Sequence, residues 1–138
     1  MIILDTNIIS EMMKPLPSST VIVWLDQQDA SALYITTITI AEIAYGLHAL
    51  PVGARRQLLE DAFHQTMIEA FEYRILSFDE SSAHVYGQLM ANRKKIGRPL
   101  SILDGQIAAI AHANGFAVAT RNTSDFSDCG LSLINPFD

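Results

Sequence analysis

Cysteine is nearly missing from this chain: Cys129 is the only one among 138 residues. A single thiol excludes an internal disulfide framework and a cysteine-based zinc site, and it suits a reducing, cytoplasmic setting. Long apolar runs are missing too, since nothing approaches the roughly 18 residues that a membrane-crossing helix needs. The opening MIILDTN has neither a basic region nor a small-residue cleavage site, so it does not read as a signal peptide. Positive charge is scarce. Nine Lys and Arg stand against 15 Asp and Glu, giving a net charge of −6 and a pI near 5.0. That balance argues against holding nucleic acid on a broad basic surface.

What is present is a globular composition, with 49 % hydrophobic and 17 % charged residues. At this length it fits one domain, 1–138, with a real core. Short apolar runs at 2–4, 33–38, 74–78, 116–119 and 131–134 read as strands. Helical patterns alternate with them at 18–29, 39–50, 53–71, 79–96 and 101–114. The second of these opens with Thr39-x-x-Glu42, a capping-box pattern. The last ends at Gly115 and carries Ala108, Ala109, Ala111 and Ala113, a small-residue surface that can lie close to a sheet. Strands and helices in alternation predict an α/β fold of three layers, α/β/α, around a central, mostly parallel sheet.

In open α/β sheets, ligand sites form outside the carboxyl ends of the strands. Asp5 follows the first strand directly. Glu42 and Asp104 stand near the starts of two helices, and Asp125 lies in the turn RNTSDF after the strand FAVAT. Each acid has a local alternative: Asp5 or Asn7 as a helix cap, Glu42 and Asp104 as halves of capping boxes, Asp125 in an Asx-turn. As a set they point to a crevice in which mutual repulsion calls for a divalent cation. Oxygen ligands without a Cys or His cluster suit a hard ion, Mg²⁺ or Mn²⁺, rather than zinc.

Four segments in order, LDTNIISE at the start, TTITIAEIAYGL at 36–47, LDGQIAAIAHANG at 103–115 and VATRNTSDF…INPF at 118–137, together resemble a PIN-domain protein. More narrowly, they are similar to the VapC-type toxins of bacterial toxin–antitoxin pairs, including the FitB-like branch. The resemblance implies a PIN-like fold and a Mg²⁺-dependent endoribonuclease, with Mn²⁺ able to substitute. Asp5, Glu42 and Asp104 would be its catalytic acids, with Asp5 and Asp104 the principal metal ligands. The fourth acid falls on Asp125, beside a neutral Asn122. Asn7 and Thr120 would support the site. The resemblance also implies a second copy of the chain, a cognate antitoxin laid over the groove, and operator DNA reached only through that antitoxin. No membrane partner is implied.

Four of the nine basic residues, Arg93, Lys94, Lys95 and Arg98, fall within six positions. They suit either the negative end of a helix dipole or, with Arg121, a rim that holds substrate phosphates. Met12, Met13, Leu16, Val21 and Trp24 read as core or as a partner surface. His48, His64, His84 and His112 have no catalytic work assigned. A haloacid-dehalogenase-like phosphatase would want a second Asp where Asn7 stands, and a receiver-like phosphoacceptor a Lys where VATRN offers Arg121. A non-catalytic PIN-type binding domain would have no need of the three acids.

Overall fold

The computed structural model describes residues 1–138, with side chains described at every position except Met67 and Ile68. Five strands, β1 (Ile2–Leu4), β2 (Leu33–Thr36), β3 (Ile75–Leu76), β4 (Ala117–Ala119) and β5 (Leu133–Ile134), form one sheet in the order β3-β2-β1-β4-β5. All four pairings are parallel. Six α-helices connect them: α1 (Thr6–Met12), α2 (Ser19–Asp26), α3 (Thr37–His48), α4 (Ala54–Phe71), α5 (Glu80–Lys95) and α6 (Ile102–Asn114).

Alternation along β1 builds the three layers. Leu4 faces a core made with Ile8 and Ile9 of α1, Val21 of α2, Ile43 and Leu47 of α3, and Phe63 and Phe71 of α4. Its neighbour Ile3 faces the opposite core, with Leu89 of α5 and Ile107, Ala108, Ile110 and Ala111 of α6. A fully buried side chain of this size contributes roughly 1.5–3 kcal/mol. A one-residue slip of β1 would exchange the two faces, so its register is tightly specified. No helix among the described residues is long and apolar enough to cross a membrane.

The order of the strands decides where the acids meet. The chain adds β2 and β3 on one side of β1, then returns to place β4 on the other, so the direction of winding changes between β1 and β4. The carboxyl ends at such a switch point flare apart and leave a crevice. Leu4 pairs with Ala119, so the next residues, Asp5 and Thr120, leave the sheet side by side.

Three elements differ from the sequence reading. Residues 6–12, given no helical range of their own, form α1, and Asp5 caps it as one of the two local alternatives expected. Strand β2 stops at Thr36, whose hydroxyl accepts the Thr39 N–H and caps α3 three residues earlier than expected. The Thr39–Glu42 capping box therefore does not form: Thr39 sits inside the helix. Its hydroxyl shares a 3.0 Å hydrogen bond with that of Thr6. The run of β-branched residues favours a strand locally, but the Thr36 cap and the burial of Ile43 and Leu47 outweigh that preference. Finally, the helix expected over 18–29 stops at Asp26, and a short 3₁₀ turn (Ala30–Ala32) capped by Asp29 follows it.

Helices α5 and α6 lie close together because Gly105 lacks a side chain. A Cβ there would sit 2.5 Å from Met90 Sδ and 3.1 Å from the Tyr86 ring. Gly105 follows Asp104, so this contact also sets where that carboxylate emerges. Gly105→Val is expected to destabilise the fold by about 1–3 kcal/mol through overpacking, measured as a lower denaturation midpoint at unchanged slope.

Candidate functional site

At the β1–β4 switch point lies a cavity of about 360 Å³ whose walls include Asp5, Thr6, Asn7, Glu42, Asp104, Arg121 and Asn122. Three residues far apart in sequence thus bring carboxylates to one place. Asp5 is only 5 % exposed. Its Oδ1 accepts the Thr6 N–H at 2.8 Å, and its Oδ2 accepts the Thr120 hydroxyl at 2.8 Å and Asn7 Nδ2 at 3.3 Å. Thr120 is in turn oriented by the Asn122 N–H, donated to its Oγ1 at 3.0 Å. Asn7 Oδ1 accepts the Arg121 N–H at 3.2 Å. Asn7, Thr120 and Asn122 therefore fix the Asp5 carboxyl group rather than merely flank it.

Glu42 stands in the second turn of α3. One of its oxygens accepts the Thr6 hydroxyl at 2.9 Å, a contact that replaces the expected return to its own helix end. Asp104 is half-buried in the first turn of α6, where the Ser101 hydroxyl accepts its N–H at 3.2 Å. Ser101 thus caps the helix, and the Asp104 side chain stands in the cavity wall.

Burial pushes the Asp5 pKa up to about 6, against the pull of its hydrogen bonds to Thr120 and Thr6. The charges of Asp104 and Glu42 raise it further. Asp104 is raised as well, by burial first, and also by the charge of Asp125. Asp125 is exposed and is not part of the cavity wall, whereas Asn122 is. The fourth acid thus acts on Asp104 from outside the pocket that holds the other three.

Of the three acids in the cavity wall, Asp5 is hydrogen-bonded through both oxygens and Glu42 through one, while Asp104 is half-buried. Among the described residues, no three acidic, imidazole or thiol groups converge tightly enough to hold an ion unaided. The donor set still suits a hard dication that keeps several waters and takes one or two carboxylates. All four histidines are exposed, and none lines the cavity.

The basic cluster separates in a way that corrects the sequence reading. Arg93 is 3 % exposed, so it is not available to substrate. It faces inward because the loop at 125–129 offers carbonyl acceptors there. Arg98 is tied to the same loop, paired with Asp128 at 2.8 Å and donating to the Ser124 carbonyl. Lys94 and Lys95 are exposed on the last turn of α5. Arg121 reaches the cavity wall, with its guanidinium 3.8 Å from the centre of the Phe137 ring. This contact engages Phe137 of the INPF segment.

Thr6, Ser10, Glu11 and Lys14 also line the cavity and were not singled out in the sequence. Thr6 and Ser10 are four residues apart, and Lys14 follows one turn later, a polar stripe on an otherwise apolar segment that could have marked them. Of the stretch 12–24, Met12, Met13, Val21 and Trp24 pack on the core, while Leu16 is exposed.

A carboxyl group whose folded pKa lies above its unfolded value favours folding when protonated. Its contribution is fully present below about pH 4 and is lost as pH rises through 6. The metal-free protein should therefore lose on the order of 2–3 kcal/mol of this contribution between pH 4 and pH 7. Asp5→Asn should melt higher than wild type at pH 7.5 without added metal, with the gap closing near pH 5. A gap that does not change with pH would contradict the raised pKa.

A family model described as the PIN domain matches residues 2–130. Over 138 residues the chain is 44 % identical to a VapC ribonuclease, Y4jK, of Sinorhizobium fredii, covering 100 % of this chain and 99 % of the relative. It is 37 % identical over 137 residues to the toxin FitB of Neisseria gonorrhoeae, covering 99 % of each. Its backbone matches a chain in the crystal structure of FitAcB from Neisseria gonorrhoeae with a TM-score of 0.93, at 37 % identity and 99 % coverage of both chains. Matched along nearly its whole length and carrying acids at the switch point of the sheet, the chain belongs to the PIN-domain family.

Proposed function

We propose that this chain is a Mg²⁺-dependent endoribonuclease, able to use Mn²⁺, and the toxin of a toxin–antitoxin pair neutralised by a cognate antitoxin. Relatives named as ribonuclease and as toxin, alike over the full chain, support this reading. The observation that carries it is the Asp5 carboxyl, buried at a strand end with its pKa raised to about 6 and pushed upward by Asp104 and Glu42. Strongly perturbed carboxyl groups cluster at functional sites.

Asp5 and Asp104 would hold the ion. Thr120 and Asn7 keep the Asp5 oxygens aimed, as outer hydrogen-bond partners do around metal ligands. When bound, the dication lowers the pKa of a water and offsets the negative charge that builds on the phosphate as the RNA phosphodiester is hydrolysed. Glu42, anchored through Thr6, keeps a second oxygen that would help to hold the ion or orient a water. Arg121 and Lys14 line the cavity beside the acids and are placed to take the flanking phosphates. Lys94 and Lys95 would extend that contact. Asp125 would adjust Asp104 by its charge.

A second cavity of about 390 Å³ adjoins the first and shares Thr6, Ser10, Lys14 and Glu42 with it. Met13, Ile43, Leu47 and Leu59 give it an apolar floor, and Arg55 lies at its edge. An amphipathic antitoxin segment seated there would reach the acids with its next residues, and could place a cation among them. A second copy of the chain would complete the assembly, operator DNA would be met through the antitoxin, and the cytoplasm would be the site of action.

Cleavage of a mixed RNA pool tests the reading. Thr120→Val should slow Mg²⁺-supported cleavage roughly 10–100-fold. Asp104→Asn should slow it more than that, while RNA retention on a filter stays near wild type. Equal RNA binding with no cleavage by the wild type in either Mg²⁺ or Mn²⁺ would favour a non-catalytic binding domain instead.

A further inference from the structure

Among the described residues, Arg93 is a buried cation with no carboxylate partner. Its Nε donates to the Arg98 carbonyl at 2.6 Å. Its Nη1 lies 2.9 Å from the Asp125 carbonyl, 2.7 Å from that of Ser127 and 3.3 Å from Cys129 Sγ. Every acceptor is neutral, so no paired charge offsets the desolvation of the guanidinium. A side chain kept on these terms is held for the geometry that it imposes.

That geometry belongs to the loop 124–129. Arg98 adds two contacts to it, donating to the Ser124 carbonyl at 2.9 Å and pairing with Asp128 at 2.8 Å. Asp128 sits at φ 59°, a left-handed conformation that needs support from its surroundings in any residue but glycine. Phe126 is 1 % exposed and pins the middle of the loop to the core of α5 and α6. The loop thus takes its position from α5 and the turn after it. Asp104 takes its own position from the same helix, through the close approach of Gly105 to Met90 and Tyr86. Helix α5 is therefore the common reference for two acidic residues that come from different parts of the chain.

We propose that Arg93 is a positioning residue for the acidic site: by clamping the 124–129 loop it fixes Asp125 relative to Asp104, and so sets the affinity for a divalent cation without touching it. This rests on the metal-dependent reading above. The Asp125 N–H donates to the carbonyl of Asn122 at 3.0 Å, and Asn122 lines the cavity and donates its own N–H to Thr120, so a shift of the loop is carried to the acidic site. Lysine cannot replace the guanidinium, because one ammonium group cannot follow the planar fork that reaches Arg98, Asp125 and Ser127 together.

Calorimetric titration of Mn²⁺ into the full chain, without RNA, tests the clamp in wild type, Arg93→Lys, Asp125→Asn and the double variant, with melting temperatures alongside. Arg93→Lys should weaken Mn²⁺ binding roughly 10-fold, Asp125→Asn by a similar factor, and the double variant no more than Asp125→Asn alone. A lower melting temperature with wild-type Mn²⁺ affinity would reduce Arg93 to a stabilising contact and overturn the proposal, as would fully additive losses. Should Arg93→Lys fail to fold, Arg98→Ala decides: weaker Mn²⁺ binding supports the clamp, and wild-type affinity overturns it. Wild type that takes up no Mn²⁺ would overturn the nuclease reading and the clamp with it, whereas uptake unchanged in the variants sinks the clamp alone.

Discussion

A carboxyl group is buried at the end of the central strand because the sheet leaves it no other place. Leu4 belongs to one core and Ile3 to the other, so β1 can neither slip nor rotate, and its next residue must enter the crevice between β1 and β4. The hydroxyl of Thr120 and the N–H of Thr6 then hold Asp5 ready to be ionised, while burial and two neighbouring acids oppose ionisation. Burial outweighs the hydrogen bonds, and the carboxyl group is raised to a pKa of about 6. Packing that stabilises the fold thus also stores the electrostatic cost that a cation would relieve.

This arrangement accounts for an acidic protein that acts on a polyanion. Nucleic-acid binding through a broad basic surface follows from many phosphate contacts, and a chain of net charge −6 has few to offer. Concentrating the attraction in a bound dication, with Arg121 and Lys14 nearby, removes the need for such a surface. In the reading proposed above, a cationic side chain of the antitoxin would meet the same pocket. The apolar cavity next to it supplies the area that such a short charged contact lacks.

Much of this was legible in the sequence where local rules and global packing agree. Ser101, Gly115 and the alanines of α6 mark a helix by its caps and its packing face, and the helix runs between them as expected. Asp5 was legible from an apolar run that ends in a carboxylate. Thr36 was not, since a threonine at a strand end and one inside a strand look alike until the Thr39 N–H finds a partner. The Glu42 contact was hidden for the same reason, because Thr6 lies 36 residues away in sequence. Arg93 was misplaced because four basic residues in a short stretch read as one surface. Only the carbonyls of a loop more than thirty positions later show which of them turns inward.

Proton release on metal uptake tests the central claim most directly. Titrating Mn²⁺ into the protein in buffers of different ionisation enthalpy, at pH 6 and again at pH 8, counts the protons displaced. With Asp5 half-protonated at its pKa of about 6, binding should release about half a proton per ion at pH 6 and almost none at pH 8. Uptake with no proton release at pH 6, or no uptake at all, would contradict a buried carboxyl made tolerable by a bound cation.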